Sequence, residues 1–143
     1  MTDIQIVPES DFEQKRIGIL CLPGLETFIK PIAVHFEENY AVRTCYSSSM
    51  AELESVINWS DLIILEWCNE LAIKLTNEIK ALEDKKVIVR CHSYEALSNY
   101  IPQIRWKCVD HLVFVASHIQ KIVLQAFPQL RNMVPMSVIS NGV

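Results

Sequence analysis

Glycine is scarce, at three residues in 143. The first apolar run leads into GILCLPGLET, whose Gly18 and Gly24 cannot supply the GxGxxG turn that cradles a dinucleotide pyrophosphate. No GxxxxGK[ST] motif stands anywhere in the chain, which excludes a P-loop. Long hydrophobic runs are also missing. LIIL and VIV are strand-length, whereas a bilayer span needs about 20 apolar residues. The N-terminus, MTDIQIVPESDFEQKR, has acidic residues and no cationic stretch before an apolar run, so it is not a secretory signal. The expected location is cytoplasmic, with peripheral membrane association left open for a full-length protein. There is no basic run and the net charge is −4, so neither nucleic acid nor an anionic membrane surface is favoured as a partner. Cysteines number five, an odd count, and none stands in a CxxC pair. That pattern suits neither a disulfide framework nor a structural zinc site. Cys21, Cys45 and Cys91 fall in or beside apolar runs, where a thiol packs as a small hydrophobe.

What remains is an alternation. Half of the chain is hydrophobic and 21% is charged, the balance of a globular domain with a real core. Residues 1–15 are polar and aperiodic and read as a lead-in. From Arg16 onward, six short apolar runs read as strands buried on both faces: RIGILCL (16–22), AVRTCY (41–46), LIILEW (62–67), VIVRC (87–91), HLVFVA (111–116) and MSVIS (136–140). Between them lie helical patterns. FIKPIAVHFEENY (28–40) tolerates Pro31 in its first turn. Ser49 and Glu52 form a capping box for a helix to about Asn58. Asn69 caps a helix to about Leu82, with Leu71, Leu75, Ile79 and Leu82 as its stripe. Ser93 caps a segment with Tyr94, Leu97 and Tyr100, limited by Pro102. Ser117 and Gln120 form a second capping box for a helix to about Phe127. Strands joined by helices in this way run parallel with right-handed crossovers. The expected fold is α/β, a Rossmann-like three-layer α/β/α domain over residues 16–143. Its sheet is mainly parallel and six-stranded, in the order 3-2-1-4-5-6.

Ligands in such sheets bind beyond the carboxyl ends of the strands, where the strand order reverses. That rule selects Pro23, Gly24, Leu25 and Glu26 after the first strand, Ser47 to Ser49 after the second, and Glu66, Trp67 and Asn69 at the third. It selects His92, Ser93 and Glu95 after the fourth, Ser117 after the fifth, and Asn141 and Gly142 after the sixth. The expected switch point lies between strands one and four, so Gly24 and His92 should face each other. Ser49 and Ser117 are read first as helix caps, Trp67 as packing, and Glu66 as either paired or solvated. His35, His111 and His118 read as structural or surface residues. His92 differs: it follows a buried-type strand and precedes a helix N-terminus, where an imidazole can donate to an oxyanion or a sugar hydroxyl. A phospho-acceptor receiver would want acidic residues after the first strand, where Cys21 and Leu22 stand instead.

VIVRCHSYEA, the connector IRWKCVDHLVFVASH and the closing VISNGV together resemble the N-terminal domain of GT-B fold, retaining glycosyltransferases of the family-4-like group. The resemblance covers about Arg16 to Val143. It implies the acceptor-binding half of an enzyme that moves a sugar from a nucleotide-sugar to a sugar or glycan acceptor. The nucleotide-sugar donor, a substrate, would be held mainly by a second domain; no separate cofactor or metal is implied. Asn141-Gly142 would then open the linker to that domain. Carried over by position, Gly24 would bring its loop towards the donor phosphates, with Leu25 and Glu26 on the substrate side. His92 would contact the transferred sugar, while Ser93, Glu95 and Ser117 would line the cleft. The family often has two adjacent glycines where this chain has Pro23-Gly24. The alternative reading is a standalone Rossmann-like ligand-binding or regulatory module without transfer chemistry.

Overall fold

The computed structural model of the chain describes residues 15–93 and 98–140. Six strands form one all-parallel sheet: β1 (Arg16–Leu20), β2 (Ala41–Cys45), β3 (Leu62–Glu66), β4 (Lys86–Cys91), β5 (His111–Phe114) and β6 (Met136–Val138). The helices are α1 (Lys30–Phe36), α2 (Met50–Trp59), α3 (Glu70–Glu78) and α4 (Ser117–Ala126). Short 3-10 turns fill the connections after α3, before β5 and after α4. The α/β class, the parallel sheet and the helices packed around it are as the sequence leads one to expect.

The strand order is 2-1-3-4-5-6 and not 3-2-1-4-5-6. Two residues account for the difference. Gly18 in β1 carries no side chain; a Cβ there would run into Ser60 Oγ and Val56 Cγ1. α2 therefore lies directly across β1 on its way from β2, and delivers β3 to the far side. Asp61, just before β3, then accepts the Arg16 N–H at 3.0 Å and meets its guanidinium, while its own N–H donates to the Arg16 carbonyl at 2.8 Å. The switch point thus falls between β1 and β3.

Crossovers of one hand on the two sides of β1 must put their helices on opposite faces. α1 packs alone on one face, with Ile32, Ala33 and Phe36 against Ile17, Ile19 and Ile64. α2, α3, α4 and the turn carrying Ile101 and Trp106 cover the other, over Leu20, Ile63, Leu65, Val87, Val89, Leu112 and Phe114. Each fully buried Leu, Ile or Phe there contributes roughly 1.5–3 kcal/mol. All five cysteines are buried, and none is in a disulfide.

Capping holds in part. Ser49 accepts the Glu52 N–H and Asn69 the Leu71 N–H. Ser117 is no cap: Ala116 takes that position, without a side-chain bond, and Ser117 is the first helical residue. The helix expected after Ser93 falls largely on residues 94–97, outside the described residues. Beyond them, Tyr100 precedes a 3-10 turn, Ile101–Gln103, which Pro102 opens.

Candidate functional site

Register brings the site together. Glu66 and Arg90 are Cα partners across β3 and β4, so their side chains share the face that α1 covers. His92 follows two residues later, on the same side. Glu66 closes LIILE and Arg90 sits inside KVIVRC, two strands whose other residues, apart from the exposed Lys86 at the start of β4, are apolar and mostly buried. The Arg90 Nη1 lies 3.1 Å from each Glu66 carboxylate oxygen. The His92 Nε2 lies 3.1 Å from Glu66 Oε2. Glu66 is 1% exposed, His92 3% and Arg90 7%. Burial pushes the Arg90 guanidinium down from its ordinary value, and the Glu66 carboxylate opposes that fall. A charge so placed is costly unless paired, and a buried pair rarely repays its desolvation. Its position, at the carboxyl ends of strands beside the switch point, is where ligands bind in such sheets.

Aromatic rings enclose the imidazole. Trp67 stacks on His92 with centroids 4.0 Å apart, and Phe28 does so at 5.5 Å. Trp67 holds a left-handed backbone, φ 83°, which costs a bulky residue roughly 1–3 kcal/mol. Its N–H donates to the Arg90 carbonyl at 2.9 Å, which ties the strained residue to β4. Its indole N–H donates to the Leu25 carbonyl at 2.9 Å, which ties the loop after β1 to the same place. That loop turns at Gly24, φ 90°, whose N–H donates to Glu26 Oε1 at 2.7 Å. Hydrogen bonds from its own and the Gly24 N–H, with Lys30 alongside, hold the Glu26 carboxyl below the usual carboxylate range. Cys21, at the start of the loop, has its thiol pushed up to about 12 by burial, with Glu66 and Glu26 adding to the effect. It packs as a neutral thiol.

The expected residues are therefore placed unevenly. Leu25 is joined to His92 through Trp67, and Gly24 and Glu26 shape the same loop. β3 stands between β1 and β4, so it is Trp67, not Gly24, that meets the imidazole. Ser93 adjoins His92 and is exposed. Ser117 is exposed at the carboxyl end of β5 and shares no hydrogen bond with these groups among the described residues. Glu95, Asn141 and Gly142 lie outside the described residues. His35 is exposed beside Glu38, His111 meets Ser137 Oγ at 2.6 Å, and His118 is exposed.

Phe28 and Arg90 were not among the residues the sequence singled out. The signal for Arg90 was present: a charge inside a strand buried on both faces needs a partner, and Glu66 in LIILEW is its nearest complement. Among the described residues, no three His, Cys, Asp or Glu side chains gather to hold a metal ion, and no helix is long and apolar enough to cross a membrane. No protein-family model, no curated protein and no solved structure matches this chain.

Proposed function

We propose that the chain is the acceptor-side half of a retaining, GT-B type glycosyltransferase, in which His92 contacts the sugar that is moved. Transfer would require a second domain to hold the nucleotide-sugar. One observation carries the reading. The segment of the resemblance that contains His92 has its imidazole at the carboxyl end of β4, one strand from the switch point, against Glu66 and under Trp67 and Phe28. Aromatic faces beside a buried polar pair suit a ligand with apolar ring faces and hydroxyl edges, which describes a hexose. The second reading, a ligand-binding or regulatory module, is favoured by the 3% exposure of His92, because a ligand must first displace its cover.

The test uses the complete native polypeptide with a panel of uridine, guanosine and adenosine diphosphate hexoses. Nucleotide release that depends on an added sugar acceptor is the expected result. Losing a hydrogen bond of about 1.5–3 kcal/mol should lower turnover of His92→Ala about ten- to a hundredfold, with the fold intact by circular dichroism. Wild-type turnover in that variant would remove His92 from the reaction. Sugar binding without any release would favour the module.

A further inference from the structure

We infer that residues 23–28, the loop between β1 and α1, form a hinged cover over His92 that Trp67 latches shut, so that the imidazole is reached only when this loop lifts. The inference rests on the reading of His92 as the group that meets the ligand, and adds how that site is entered. His92 is buried, yet the loop against it is not: Pro23, Gly24, Thr27 and Phe28 are exposed. Phe28 is 48% exposed even while its ring stacks on the imidazole. A ring left half in water gains only part of the burial energy that fixes a core side chain.

The loop is anchored at its two ends and held weakly between them. Cys21 is buried, and its N–H donates to the Cys45 carbonyl at 3.2 Å; Ile29 is fully buried. Within the loop the Leu25 N–H donates to the Leu22 carbonyl at 3.2 Å and the Gly24 N–H to Glu26 Oε1 at 2.7 Å. The Glu26 carbonyl accepts the Ile29 and Lys30 N–H groups, at the start of a helix that has no side-chain cap. Beyond those ends, one hydrogen bond among the described residues joins the loop to the rest of the fold, from the Trp67 indole N–H to the Leu25 carbonyl. Trp67 is the strained residue, with φ 83°. Such residues gather at ligand clamps and switches. Its one indole both stacks on His92 and holds the loop. Few buried contacts and a single latch are what a cover that opens and recloses requires.

The test labels reachable imidazoles with diethyl pyrocarbonate in the 143-residue chain, with no sugar present, and follows each histidine by peptide mass. His35 and His118 are exposed and serve as references, while the half-buried His111 shows whether the fold has loosened. In the wild type His92 should react far more slowly than His35. Trp67→Phe keeps an aromatic ring but removes the indole N–H, and should raise the His92 rate about fivefold, the worth of one neutral hydrogen bond. Gly24→Ala decides the matter, because it touches neither ring. Its methyl group meets nothing within 4 Å, but alanine disfavours φ 90°, so it weakens the closed loop through the backbone alone. It should raise the His92 rate about fivefold or more, with His111 unchanged. A wild-type His92 as reactive as His35 overturns the inference, as does a His92 rate unmoved by Gly24→Ala. If His111 rises as well, the fold has loosened and Trp67→Phe decides in its place. Sugar transfer enters none of these measurements. A chain that moves no sugar can still lift its cover, and an active enzyme with a fixed loop would leave the rates unmoved.

Discussion

The two faces of the sheet are built differently. The face under α2, α3 and α4 is mainly apolar, and its buried polar groups among the described residues (Ser60, Asn69 and Thr76) are uncharged and bonded within or at the ends of helices. The face under α1 holds every buried charged or imidazole side chain among the described residues: Glu66, Arg90 and His92. Beyond α1 that face opens into an apolar groove of about 210 Å³, with Phe36, Ile88, Arg90, Val113 and Ile139 among its walls. The difference follows from topology. Only the β1 to β2 crossover travels towards β2, so only one helix lands on that side. One face is left to carry the fold, and the other is free to carry polar groups that stability alone would not select.

The sharpest way to break this comparison is to remove one charge from the α1 face. Arg90→Met leaves Glu66 buried without its guanidinium. Stripping one partner from a buried pair costs about 3–5 kcal/mol. The urea midpoint should fall by an amount corresponding to that loss. Adding Glu66→Leu to Arg90→Met should restore much of it, because two well-packed apolar residues can replace a buried pair at little cost. If the single variant is as stable as the wild type, the pair is not the dominant electrostatic feature of that face.

The covered face should break by volume instead. Gly18→Ala places a methyl group against Ser60 and Val56, on the side of α2 that lies against the sheet. Ser60 cannot easily yield, since its hydroxyl donates to the Val56 carbonyl at 2.6 Å. Overpacking of this kind costs about 1–3 kcal/mol. Thermal unfolding of the variant is the measurement, and an unchanged Tm would mean that α2 shifts freely over β1.

The same residues explain how far the sequence could be read. The six strands were legible because runs such as LIIL and VIV have no polar face to expose. The strand order was not, because periodicity says that a segment is buried but not beside which neighbour. Gly18 held that information, in a requirement for close helix approach that has no pattern along the chain. His92 was legible from position alone, since it follows a buried strand. Its partners were not: Glu66 and Arg90 are 24 residues apart and meet only through the β3–β4 register. Phe28 was read as a helix residue, yet α1 starts at Lys30, which frees Phe28 to lie on the imidazole. Ser117 misled because a serine followed three residues later by glutamine satisfies the capping pattern without occupying the cap.

The smallest effect should come from the same chemistry placed in water. Asp61 and Arg16 form an ion pair at 3.4 Å with side chains 44% and 48% exposed, against 0% and 8% for Glu66 and Arg90. The Arg16 N–H and guanidinium hold the Asp61 carboxyl below its ordinary value of 3.8. A depressed carboxyl adds stability above its unfolded-state pKa and loses it as pH falls through the folded-state value. Asp61→Asn should therefore cost at most about 1 kcal/mol at neutral pH, since exposed pairs are screened. The gap from wild type should shrink as pH drops below about 4, and also in high salt. Urea titrations at pH 7 and pH 3 measure both. A loss at pH 7 as large as that of Arg90→Met would show that burial is not what separates the two pairs, and that Asp61 matters through the register it sets between β1 and β3.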